Sequence, residues 1–227
     1  MIKLAAFDLD NTLAPLGEPI SGRDLALLSL LESRGCRVAI CSGKPTYYLC
    51  GLMRQAGLKE PVLVGENGAV IQFGVSLPPR RYYVTPHSQE ADAGIVFLKA
   101  EILRALPGMW FQPNEVMLTP FPENEHEFDI IESILEKNCG RLRDVEVYRH
   151  IDSFDIVPRG ITKASGLEQL SGLLGISPNC MAAVGDGVND YPMFEYAGLS
   201  IGVHPADPAR SDLHVETVTE ALEILLS

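Results

Sequence analysis

Four carboxylates in this chain stand where short apolar runs end. Asp8 and Asp10 follow Leu4–Phe7 in the stretch KLAAFDLDNT, and Asp186 and Asp190 follow Met181–Val184 in GDGVND. An apolar run that breaks abruptly at charge reads as a buried strand of a parallel sheet. In open α/β sheets, ligands bind beyond the carboxyl ends of the strands. Two acids held side by side there repel, so one keeps a proton or a cation lies between them. A cation is the working hypothesis, with its remaining ligand to be supplied from elsewhere in the chain. Taken alone, D-x-D-x-T also suits a solvated turn. The segment 185–190 does not have the acid spacing or the distal Glu of an EF-hand.

Two further places carry groups of the right kind. Ser42-Gly43 offers a hydroxyl and a backbone N–H in a turn that opens a helix, which suits a phosphoryl oxygen. The same pair also serves as an ordinary helix cap. Gly43-Lys44 is not a phosphate-binding P-loop, because position 38 is Val rather than the first Gly of that motif. Lys163 begins a helix, where a cation opposes the helix dipole, so a bound anion explains it better than local physics does.

The elements that must position these residues follow from the pattern around them. Leu4–Phe7, Cys36–Cys41 and Pro61–Val64 read as buried strands. Between the first two, a helix starts at Ser21 as its cap, with Asp24 as capping partner. It places Leu25, Leu28 and Leu31 on one face and stops at Gly35. Between the second and third, a helix opened by Pro45 runs to about Ala56. Strand–helix–strand–helix–strand is the signature of a doubly wound sheet. From about Tyr83 the texture changes to helix–strand–strand, repeated once. The helices are Ser88–Leu106 and Glu123–Asn138, and the strands Met109–Phe111, Glu115–Thr119, Val145–Tyr148 and Phe154–Val157. The alternating pattern then resumes with a helix capped by Thr162, the strand Met181–Val184, a last strand Leu199–Val203 and a closing helix Glu216–Leu226. The expected organisation is a Rossmann-like α/β core, 1–82 with 161–227, interrupted by a small α+β domain, 83–160, with Trp110 in its interior.

Composition narrows the function. A formal net charge of -12 over 227 residues disfavours nucleic acid or an anionic membrane surface as the main partner. A small anionic substrate is still compatible, because a lysine and a metal reverse the field locally. Five cysteines form no C-x-x-C pair and read as free thiols in a reducing compartment. No signal peptide is apparent, and no apolar run approaches the ~20 residues that span a bilayer. A cytoplasmic location is the expectation.

Together the four motifs resemble the haloacid dehalogenase-like phosphatase superfamily: DLDNT at 8–12, Ser42 in CSGKP, Lys163 in GITKASGL and GDGVND at 185–190. The insertion, and Glu66-Asn67-Gly68-Ala69, are similar to the Cof-type branch, although Lys44 stands where that branch often has Arg. The resemblance implies a Mg²⁺-dependent phosphatase in which Asp8 is the nucleophile and Asp10 the general acid and base. It implies that the metal is held by the Asp8 side chain, the Asp10 backbone carbonyl and Asp186, with Asp190 bound directly or through water. Ser42, Gly43, Lys163 and Asn189 would contact the phosphoryl group, with Lys163 also pairing with Asp8. The inserted domain would be a cap that contacts the leaving group, with Asn114, Glu115, Arg149, His150 and Asp152 as candidates. The expected substrate is a small phosphorylated metabolite, with phosphoglycolate, favoured by the compact insertion, and sugar phosphates foremost. A phosphomutase of the same fold and a non-turnover phospho-receiver are the competing readings.

Overall fold

The computed structural model describes residues 1–205 and 207–227. The chain forms two compact units, one from Met1–Thr85 with Thr162–Ser227 and the other from Pro86–Ile161.

The first unit is built on an eight-stranded sheet of order β12-β11-β10-β1-β2-β3-β4-β5. Six of these strands run parallel: β1 (Leu4–Asp8), β2 (Arg37–Cys41), β3 (Val62–Gly65), β10 (Met181–Gly185), β11 (Leu199–Val203) and β12 (Leu213–Val215). Strands β4 (Val70–Phe73) and β5 (Tyr82–Val84) extend the β3 edge in antiparallel fashion. Alternation along β1 explains the double winding. Ala5 and Phe7 face one apolar layer, while Leu4 and Ala6 face the other, and all four are inaccessible to solvent. The first layer is completed by α1 (Gly22–Ser33), α2 (Thr46–Ala56) and α7 (Val218–Leu226). The second is completed by α5 (Lys163–Leu174) and α6 (Tyr191–Tyr196).

Local signals set the helix starts. Ser21 accepts the Asp24 N–H at 3.1 Å, and Asp24 in turn accepts the Thr219 hydroxyl of α7 at 2.5 Å. Thr162 and Ser165 form a reciprocal capping box at the start of α5. Strands β4, β5 and β12 have no counterpart in the sequence pattern. Each has only three or four residues, too short for a period to declare itself, so neighbouring strands decide their pairing.

The second unit carries α3 (Gln89–Ala105) and α4 (Glu125–Lys137) on an antiparallel layer. Strands β6 (Trp110–Gln112) and β7 (Thr119–Phe121) pair, as do β8 (Val145–Arg149) and β9 (Phe154–Pro158). Two hydrogen bonds of 2.9 and 3.0 Å join Leu118, the residue before β7, to Ile156 of β9. Leu98, Ile102, Phe128 and Ile131 of the helices close over Leu118, Val145, Phe154 and Ile156. β7 lies later in the chain than its expected span Glu115–Thr119. Pro120, which lacks an N–H and argues for a stop, is accommodated opposite Phe111. Trp110 is not interior: it is 58 % exposed on β6, which pairs with β7 alone, and its ring stands edge-on to Phe121.

Candidate active site

Register within the parallel sheet gathers the chemistry. Asp8 lies beside Cys41, so Ser42 emerges next to it. Phe7 lies beside Val184, so Asp186 follows β10 at the same level. The start of α5 adds Lys163. Its ammonium, 1 % exposed, donates to Asp8 Oδ1 at 2.6 Å and to Asp190 Oδ1 at 2.5 Å. The anions that explain this cation are therefore the protein's own carboxylates.

Asp190 is fully buried, and both of its oxygens are engaged. Oδ1 takes Lys163, and Oδ2 accepts the N–H groups of Asp186 at 2.9 Å and Gly187 at 3.0 Å. It therefore ties the turn after β10 to the lysine. Asp186 is held from the other side by the Thr12 hydroxyl, which donates to Oδ1 at 3.0 Å. Sequence reasoning alone misses Thr12. The only signal for it is its place in D-x-D-x-T, two residues beyond Asp10.

Oxygens of Asp8, Asp186 and Asp190 lie within 4.8 Å of one another, the one such cluster of metal-ligating groups among the described residues. Three carboxylates against one ammonium leave an excess of two negative charges. Burial pushes the Asp8 carboxyl up to about 7; Lys163 works against this, and Asp190 and Asp186 add to it. Asp186 is also raised, again by burial, with the Thr12 hydrogen bond moderating the effect. Burial would lower the Lys163 pKa, but Asp190 and Asp8 more than offset that and hold the ammonium charged. An all-oxygen donor set with two surplus negative charges fits a hard divalent cation such as Mg²⁺.

The other predicted residues occupy distinct places. Asp10 is half-buried and faces Lys44 Nζ at 3.3 Å, an ion pair absent from the sequence-based expectations. Ser42 is buried and accepts the Lys44 N–H at 3.1 Å, with half-buried Gly43 between them. Asn189 is exposed on the 3-10 turn Val188–Asp190, and its Oδ1 would lie 2.8 Å from a Cβ built on Gly187. In the second unit, Asn114 donates to Thr119 at 3.0 Å, His150 stands 3.3 Å from Asp155, and Asp152 accepts from Ser153 at 3.0 Å. Glu115 is exposed. Arg149 is committed to Glu125 at 3.1 Å and Glu132 at 3.0 Å beside α4. No helix of the described residues is long and apolar enough to cross a membrane.

The chain is similar to known proteins over most of its length. A family model described as haloacid dehalogenase-like hydrolase matches residues 5–77 and 111–219. A phosphoglycolate phosphatase of Halorubrum lacusprofundi is 29% identical, over 92% of this chain and 87% of that protein. An HMP-PP phosphatase of Yersinia pestis is 26% identical, over 92% and 86%. Among solved structures, a haloacid dehalogenase-like hydrolase from Bacteroides thetaiotaomicron superposes with a TM-score of 0.83 at 20% identity, covering 99% of this chain and 100% of that one. With the family model spanning both the strand-end acids and the lysine-bearing helix, the chain belongs to the haloacid dehalogenase-like hydrolase family.

Proposed function

We propose that the protein is a Mg²⁺-dependent phosphatase that hydrolyses a small phosphate monoester through an aspartyl-phosphate on Asp8. The observation that carries this is the buried Lys163 ammonium, 2.6 Å from Asp8 in a cluster of three carboxylates. A carboxylate is a weak nucleophile and needs positive charge beside it to stay ionised and to meet an anionic phosphoryl group. Lys163 supplies one such charge. Mg²⁺, held by Asp8, Asp186 and the Asp10 backbone carbonyl, would supply the rest and neutralise charge on the phosphoryl oxygens. Asp190, which also holds Lys163 and the Asp186 turn in place, would join the metal's ligands directly or through water.

In the first step an Asp8 oxygen bonds to phosphorus as the bond to the leaving oxygen breaks, and Asp10 gives that oxygen its proton. In the second, water attacks phosphorus, Asp10 takes the water's proton, and the bond to Asp8 breaks to release phosphate. Ser42, the Gly43 N–H and Asn189 are assigned to the phosphoryl oxygens. Lys44, paired with Asp10, keeps that side chain oriented in the resting site. The unit Pro86–Ile161 is assigned to leaving-group selection. Its small size and the phosphoglycolate phosphatase relative favour phosphoglycolate ahead of sugar phosphates.

A phosphate-release screen over a panel of monoesters, with and without Mg²⁺, tests this reading. Multiple turnovers that stop with EDTA and resume with Mg²⁺ are expected. Release of phosphate from none of the esters, or turnover insensitive to EDTA, would refute it.

A further inference from the structure

The turn after β3 holds three consecutive residues at positive φ, a backbone conformation that Glu66 in particular does not favour. Glu66, Asn67 and Gly68 have φ of 53°, 54° and 103°. Glycine reaches this region freely, whereas Cβ sterics penalise Glu and, less severely, Asn. Backbone of this kind persists only where its surroundings fix it, and it concentrates at functional sites.

Here the surroundings are the two elements that carry the assigned phosphoryl-binding groups. On one flank, the Glu66 N–H donates to the Lys44 carbonyl at 3.0 Å and the Asn67 N–H to the Ser42 carbonyl at 3.0 Å. The Ser42 N–H in return donates to the Val64 carbonyl at 2.9 Å. On the other flank the turn presses against α5. A Cβ on Gly68 would stand 2.1 Å from the carbonyl oxygen of Thr162, the cap residue immediately before Lys163. A Cβ on Gly166 would stand 2.7 Å from the Gly68 Cα. The Thr85 hydroxyl lies 2.7 Å from the Gly68 carbonyl oxygen and 2.6 Å from Gln169 Oε1 on α5. One strained turn therefore touches the backbone that presents Ser42 and the backbone that presents Lys163.

We propose that Glu66–Gly68 is a positioning clasp that sets the spacing between the Ser42–Gly43 turn and the Lys163 ammonium, and so the width of the phosphoryl cradle. This rests on the phosphatase reading above. The three residues act through Ser42 and Lys163 and are not themselves catalytic. The left-handed backbone is the working part. It aims two N–H groups at the Ser42–Lys44 turn while bringing Gly68 close enough to α5 that no side chain fits between them. Catalysis by oriented groups is sensitive to such spacing, since a displacement of ~1 Å costs on the order of 100-fold in rate.

The test compares Gly68→Ala, Asn67→Gly and Asn67→Val with the wild type, each shown to be folded by circular dichroism at the assay temperature. Turnover of the best monoester from the screen and inhibition by inorganic phosphate are both measured. Gly68→Ala should lower kcat by about 100-fold and weaken phosphate inhibition by about 10-fold, because α5 must retreat from the added methyl. Asn67→Gly, which keeps the left-handed backbone, should stay within about 3-fold of wild type, whereas Asn67→Val, which disfavours that backbone, should lose about 10-fold or more. A folded Gly68→Ala with unchanged kcat and phosphate inhibition overturns the clasp. So does an Asn67→Gly as impaired as Asn67→Val, which would move the effect to the side chain. If the wild type turns over no ester, the phosphatase reading fails separately, and calorimetric binding of inorganic phosphate to wild type and Gly68→Ala still decides. Equal affinities, or no binding to either, overturn the clasp.

Discussion

Replacing Asp8 with Asn should abolish turnover and, in metal-free protein, raise stability. Asp8 is 6 % exposed and shares its surroundings with two other carboxylates. Its carboxyl is pushed from 3.8 up to about 7, so between those values the folded state keeps a proton that the unfolded chain has lost. Folding stability therefore falls as pH rises from about 4 to 7 and stays low above that. Each pH unit within that window is worth ~1.4 kcal/mol, so the ionised Asp8 costs the metal-free fold about 4 kcal/mol at pH 8, and less than about 2 at pH 5. Asn is nearly isosteric and carries no charge, so it escapes that cost. It also gives up the charged hydrogen bond to Lys163, but that attraction lowers the Asp8 carboxyl and is already contained in the net shift. The gain at pH 8 is then on the order of a few kcal/mol, or roughly 5–15 °C in melting temperature for a chain of this size. Calorimetric melting of both proteins in EDTA, at pH 5 and pH 8, measures it. An Asn variant that melts below wild type at pH 8, or a difference that does not grow from pH 5 to pH 8, would show that Asp8 is not held against its charge. Substantial turnover by the variant would sink the covalent mechanism.

Thr12→Val removes the hydroxyl that steadies Asp186. It should raise the Mg²⁺ concentration for half-maximal activity by about 10–100-fold with little change in fold, and an unchanged Mg²⁺ titration would count against Asp186 as a ligand. Lys163→Met leaves Asp8 and Asp190 buried without their cation. That should cost ~3–5 kcal/mol, seen in metal-free denaturant titrations at pH 8, and a midpoint equal to wild type would contradict the neutralising role assigned to the lysine. Among the cysteines, Cys139 is exposed, whereas Cys41 is buried with its thiol pushed up to about 12 by that burial. A thiol reagent followed by peptide mass spectrometry should therefore label Cys139 first and Cys41 only on unfolding, and early labelling of Cys41 would refute the buried strand end.

The local parts of this fold are legible along the chain. Apolar runs ending in acid at Asp8 and Asp186, the Ser21 and Thr162 caps and the alternation of strand and helix are written in neighbouring residues. Hydrophobic period and capping chemistry operate over a few positions, and so they can be read there. The doubly wound sheet and the strand ends that carry the site follow from them. Which groups meet is settled by the folded chain. Lys163 and Asp8 are 155 positions apart, and Thr12 and Asp186 are 174 apart. No local rule links them; the parallel register of β1, β2 and β10 does. That register seats the Lys163 ammonium on Asp8, the pairing that the resemblance implies, and adds Asp190 as a second partner. It also gives Asp190, one of the three clustered carboxylates, a second task, since its oxygens hold Lys163 and the turn after β10. The short strands β4, β5 and β12 and the exposure of Trp110 belong to the same class, because pairing at a sheet edge is settled by the neighbouring strand and not by three residues of sequence. The left-handed turn at Glu66 and Asn67 goes furthest beyond the sequence. The Asn67-Gly68 pair tolerates that backbone, but nothing in Glu66 asks for it, and the packing of the Ser42–Lys44 turn and α5 around it imposes it.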